Sequence, residues 1–119
     1  MTAAEFDRIV ERACARIPAR FRRRMKNVAI VVEREPSAQQ TSRHGSLLGL
    51  YEGRPLTARS VFEGFAMPDR ITIFQGPHER AARSLAHLEK MVADTVWHEV
   101  AHYFGMDERG VRAAERRRR

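Results

Sequence analysis

Val96-Trp97-His98-Glu99-Val100-Ala101-His102-Tyr103-Phe104-Gly105-Met106-Asp107-Glu108 is the stretch on which the reading of this chain turns. It holds His-Glu-x-x-His, then a glycine, then two acids. Residues four apart on an α-helix lie on one face, so His98 and His102 can grip one ion together. Zinc takes imidazole nitrogen at about 2.0–2.1 Å and prefers four ligands, so two histidines make half a site. Gly105 suits a helix C-terminus, where positive φ turns the chain back toward the histidines. Glu108 is the expected third ligand, with Asp107 as its competitor, and a water takes the fourth position. Glu99, between the histidines, is placed to act as general base on that water.

Working back from this motif, Leu85, Leu88, Val92, Val96, Val100 and Tyr103 recur at helical spacing, which predicts a helix over Leu85–Phe104. Its apolar stripe packs on a sheet and its histidine flank faces a cleft. Asp94, four residues before His98, is readable as a partner orienting that ring or as half of a Lys90–Asp94 surface pair, and the pair is the simpler reading. Three strands are expected. Val28-Ala29-Ile30-Val31-Val32 is a continuous apolar run and reads as buried on both faces. Leu47–Tyr51 is short and closed by Gly53. Arg70–Phe74 alternates and reads as half-buried. Either of the last two is a candidate edge for pairing with an extended substrate. Tyr51 is expected as a half-buried strand tyrosine, the alternative being a hydroxyl aimed into the cleft.

At the other end, Thr2 and Glu5 form a capping box for a helix over Ala3–Ile17, with Phe6, Ile9, Val10, Ala13 and Ile17 on one stripe. Pro18 stops it. The basic run Arg20–Lys26 reads as a charged turn whose stems lie on the core; a nucleic-acid patch is the lesser reading. Ser37–Ser46, with His44, is expected to be a loop, and Gly76-Pro77 a turn. Residues 54–69 are long for a connection, with Phe62, Phe65 and Met67 expected to tuck onto the core. His78 and His87 sit at no ligand spacing, and Cys14 is expected to be inert on an apolar helix face.

These pieces resemble the small bacterial zincin-like metallopeptidases. The resemblance is carried by Leu48-Gly49-Leu50-Tyr51-Glu52-Gly53, Pro55-Leu56-Thr57, Pro68–Phe74 and, above all, Thr95–Glu108. The family often has a second histidine after HExxH and an aspartate as third ligand, where this chain has Tyr103 and Glu108. The resemblance implies a minimal zincin-like α+β domain: a small mixed sheet packed against an N-terminal helix and a long C-terminal active-site helix. It implies a zinc-dependent metallopeptidase with one Zn2+ per chain held by His98, His102 and Glu108, and Glu99 as the catalytic base. Peptides or unfolded proteins are the implied substrates. The floor of a methionine turn is not to be found downstream, where Met106 is the sole methionine after Gly105.

Composition bounds the rest. At 119 residues one domain is expected, residues 1–110, with a basic C-terminal tail over 111–119. The formal charge is +7, and the last four residues are all arginine. A single cysteine permits no disulfide within the chain and fits a reducing compartment. No run approaches a membrane span, and no apolar leader precedes Glu5, so a cytoplasmic monomer is expected. The rival readings are a non-catalytic zinc-binding interaction module and a metal-dependent ribonuclease; the intact Glu99 speaks against the first, and the absence of a third histidine against the second.

Overall fold

A computed structural model describes residues 1–45, 47–53 and 69–105. The elements run α1 (Ala3–Ala15), α2 (Ala19–Arg22), β1 (Val28–Glu33), α3 (Ala38–His44), β2 (Gly49–Glu52), β3 (Asp69–Phe74), α4 (Gln75–Ala81) and α5 (Leu85–Tyr103). The architecture is the expected mixed α+β one.

The two long helices begin where their side chains say they should. Thr2 accepts from the Glu5 amide at 3.1 Å while Glu5 reaches back to the Thr2 amide, closing the capping box of α1. Ser84 caps α5 by accepting from the His87 amide at 3.0 Å. α5 lays its apolar stripe on the three-stranded sheet, and α1 packs its own stripe along α5, closing one core. Phe6, Ile71, Ile73, Val92 and Val100 are fully buried at the centre of this layer.

The sheet order is β1-β3-β2, with β1 parallel and β2 antiparallel to β3. This reverses the expected burial of two strands. The apolar run in β1 lies at an edge and none of its residues is fully buried, whereas the alternating β3 is central and only Arg70 is exposed. The reason is compositional. Thr72, read as the solvent-facing polar position, is β-branched and compact, and it is buried completely. Ile30, Ile71 and Tyr51 stand in register across the sheet, as do Val32, Ile73 and Gly49, and these rows face the helices.

Two further corrections concern helices. Ser37–Ser46 is not a loop: α3 occupies Ala38–His44, started by a Ser37–Gln40 capping box. Gly76-Pro77 does not simply turn the chain but lies in the first turn of α4, where proline has no helical amide bond to lose. The Glu35 carboxylate, paired with Arg80 at 2.8 Å, lies over Gly76, where a Cβ would displace it. Among the described residues no helix is long and apolar enough to cross a membrane.

Candidate metal centre and cleft

The two motif histidines sit in the last turns of α5, half-buried, with their Nε2 atoms 3.0 Å apart and their rings edge to face at 4.6 Å. Two nitrogens bound at about 2.0–2.1 Å to one ion at a tetrahedral angle stand about 3.3 Å apart. The observed separation is within a few tenths of an ångström of that value, and neutral imidazole is a donor that zinc accepts. Gly105 takes φ +80°, and its amide bonds to the His102 carbonyl at 2.9 Å, so the helix ends in the left-handed turn expected of it. Glu108, Asp107 and Met106 lie outside the described residues, as do Phe62, Phe65, Met67 and the arginine tail. Among the described residues no group of three metal-binding side chains is found.

Beside the histidines, β2 and α5 wall a cleft of about 450 Å³, lined by Leu47, Leu48, Gly49, Met91, Asp94, Thr95, His98 and Glu99. Glu99 is only 9% exposed. What brings β2 this close is Gly49. A Cβ there would stand 2.7 Å from Thr95 Cγ2, 3.2 Å from the Thr72 carbonyl and 3.3 Å from Glu99 Cγ. The absent side chain thus lets a strand lie against the helix flank that carries Glu99. Gly49→Ala is expected to cost about 1–3 kcal/mol by overpacking. Thr95→Ser, which removes the nearest methyl, should recover a good part of that in the double variant. Urea unfolding of the four proteins of this cycle measures it, and strict additivity would show that the close approach carries no strain.

Thr95 is held from behind. His78, fully buried, places Nδ1 2.7 Å from the Phe74 carbonyl and Nε2 2.9 Å from Thr95 Oγ1, which also lies 2.9 Å from the Met91 carbonyl. Sequence spacing excluded His78 as a metal ligand but gave no sign of this brace between α4 and α5. Burial pushes the His78 ring below its ordinary value, partly offset by the Phe74 and Met91 carbonyls. The folded state thus holds the ring neutral while the unfolded chain protonates it near pH 6.5. Its contribution to stability is full above that pH and is lost as pH falls toward the depressed folded value. Urea midpoints of the metal-free protein should drop between pH 7.5 and 5 more steeply in wild type than in His78→Gln. Equal slopes would exclude His78 as the cause.

Other side chains near the cleft and on the helices are engaged locally. Asp94 receives Lys90 Nζ at 2.8 Å, the surface pair expected, while its residue also lines the cleft. The Tyr51 hydroxyl donates to the buried Asp69 carboxylate at 2.6 Å. His87 accepts the Arg83 amide at 3.0 Å, and His44 lies exposed on α3. Cys14 is half-buried and burial pushes its thiol up, away from reactivity.

No curated protein matches this chain. A solved structure of a conserved hypothetical protein from Thermo thermophilus is similar, with 26% identity and a TM-score of 0.58, over 97% of this chain and 99% of that one. A family model for zincin-like metallopeptidases matches residues 25–118, most of the chain and all of the HExxH segment, and on that match the chain belongs to the zincin-like metallopeptidase family.

Proposed function

We propose that the chain is a zinc-dependent peptidase, with His98 and His102 as metal ligands, Glu108 as the third, and Glu99 as general base. The observation that carries this is the convergence of the two Nε2 atoms, 3.0 Å apart, at a cleft whose wall holds the buried Glu99. The donor set fits zinc: two imidazoles on one helical face, with a carboxylate following a left-handed glycine. When bound there, zinc would lower the pKa of water to about 7 and polarise a substrate carbonyl. Glu99 takes the proton of the attacking water and returns it to the leaving amine, which becomes the new amino terminus.

The substrate's path follows from the sheet. β3 is paired on both sides and has no free edge, whereas β2 is an edge among the described residues and borders the cleft. An extended peptide adds to β2 as a further strand, its backbone bonded to the edge and its scissile bond beside His98. A short edge strand of four residues suits short or unfolded peptides better than folded proteins.

The test is zinc quantification on tag-free protein, followed by cleavage of an unstructured peptide library. About one zinc per chain, with new amino termini released and both lost on chelation, is the expected result. No zinc after reconstitution would sink the proposal. Zinc without hydrolysis of any peptide would replace it with the non-catalytic module.

A further inference from the structure

Among the described residues, the densest run of positive charge lies outside the residues that line the cleft. Residues 8–26 hold eight basic side chains against one acid, Glu11, so this stretch alone carries +7, the formal charge of the whole chain. Arginine recurs in it at every fourth position: Arg8, Arg12, Arg16, Arg20 and Arg24. Pro18 stops α1, and the series continues into the α2 turn; α1 packs along α5, and Phe21 of α2 rests on Trp97 of α5.

The contacts trace the row. Arg12 approaches Glu89 at 3.9 Å, and Arg12 and Arg16 line a groove of about 190 Å³ with Glu89 and Ala93. Phe21 packs edge-on to Trp97 at 5.3 Å and carries the Arg20 guanidinium 4.9 Å from its ring centre. Arg24 lies over Phe104 at 5.8 Å. Along α5 the row thus passes Glu89 and Ala93, which border the groove of Arg12 and Arg16, then Trp97, on which Phe21 rests beneath Arg20, and reaches Phe104 at the C-cap, a rise of about 22 Å. Arg8, Arg12, Arg16, Arg20 and Arg24 are all exposed, and among the described residues none of Arg16, Arg20 and Arg24 has an acidic partner. Arg22 turns back instead, donating to the Ile17 carbonyl at 2.8 Å. Trp97 precedes His98 by one residue, about 100° around the helix, so the row runs along a different flank of α5 from the cleft.

We propose that this arginine row is a binding surface for single-stranded nucleic acid, held by its phosphates. Guanidinium is the side chain that takes phosphate oxygens two at a time. A single file of such groups with half-buried aromatic rings beneath it tracks one backbone strand. A membrane surface fits less well, because an interfacial helix needs an apolar face to insert. The apolar stripe of α1 is buried in the core, and among the described residues the exposed large apolar side chains are Met1 and Leu85 alone.

The experiment is fluorescence anisotropy of the full-length protein with a labelled 20-nucleotide single strand, repeated over a range of salt. Wild type should bind, with log affinity falling against log salt at a slope near −3, about −0.7 for each of four phosphates neutralised. Arg16→Gln/Arg20→Gln/Arg24→Gln should weaken binding at least tenfold at low salt and flatten the slope by about 2. The triple lysine variant, checked by circular dichroism alongside it, should keep the slope and most of the affinity, which separates lost charge from lost fold. Deleting Arg116–Arg119 should leave the difference between wild type and the triple glutamine variant intact. The proposal is overturned if wild type does not bind, if the glutamine variant binds like wild type, or if deletion of the tail alone abolishes binding. It is equally overturned if anionic lipid vesicles bind better than the strand and lose that binding in the glutamine variant.

Discussion

Glu99→Gln should retain about one zinc per chain and lose peptide hydrolysis by a factor of about 10²–10⁴, the usual contribution of a positioned general base. The substitution is close to isosteric. Glu99 is 9% exposed, and the nearest approach of β2, at Gly49, is toward its Cγ, an atom that glutamine keeps. Packing and fold are therefore left alone, and what disappears is the ability to take a proton. Glu99→Asp makes the complementary case: it keeps the base but withdraws it by about one carbon–carbon bond. A displacement of that order can cost about 10²-fold where geometry matters, so an intermediate rate is expected. The measurement is initial rates on one cleavable peptide, with zinc content determined on the same samples. Near-normal turnover in the glutamine variant would remove Glu99 from the mechanism, and loss of zinc along with activity would make it a structural residue.

The elements that define the site were legible because their signals are local. The Thr2–Glu5 box and the stripe from Phe6 to Ile17 announce α1, observed over Ala3–Ala15 against the expected Ala3–Ile17. Leu85 to Phe104 was expected for α5 and Leu85–Tyr103 is found, because Ser84 and Gly105 mark its two ends chemically. The three strands lie close to where they were expected, β1 and β3 on β-branched runs and β2 on a short apolar stretch closed by Gly53. Strand order was not legible. Edge and centre are decided by what packs on each face, and β1 is richer in β-branched residues than the central β3. Helix α3 carried a readable signal, Ser37-x-x-Gln40, but lacked an apolar stripe, and none of its residues is buried. The brace from His78 to Thr95 lies beyond sequence reading altogether. It joins residues 17 apart across two helices, and a fully buried histidine looks in sequence like any other. Gly49 is the instructive intermediate: its place in a family-like segment was visible, but the reason for glycine is a clash with a helix 46 residues away.

His98→Ala and His102→Ala should each abolish zinc binding while leaving the metal-free fold unchanged. The two side chains are half-buried at the end of α5, outside the cluster that holds the sheet to the helices. Alanine is the best helix former, so the helix itself loses nothing. Metal-free variants and metal-free wild type should therefore unfold within about 1 kcal/mol of one another, the range of substitutions away from the core. Zinc should separate them. A ligand that binds only the folded state stabilises it by RT ln(1 + [L]/Kd), about 4 kcal/mol at a thousandfold excess over Kd, so wild type should gain this much on saturation and the variants none. Chelator competition should show a fall in affinity of more than 100-fold for either variant, beyond the roughly 10–100-fold that follows loss of an outer partner. His87→Ala and His44→Ala are the controls and should bind like wild type, since His87 is engaged with the Arg83 amide and His44 stands apart on α3. If one motif histidine is removed and zinc still stabilises the protein in full, the ion is bound elsewhere, and the close approach of the two Nε2 atoms is a hydrogen-bonded pair rather than half of a metal site.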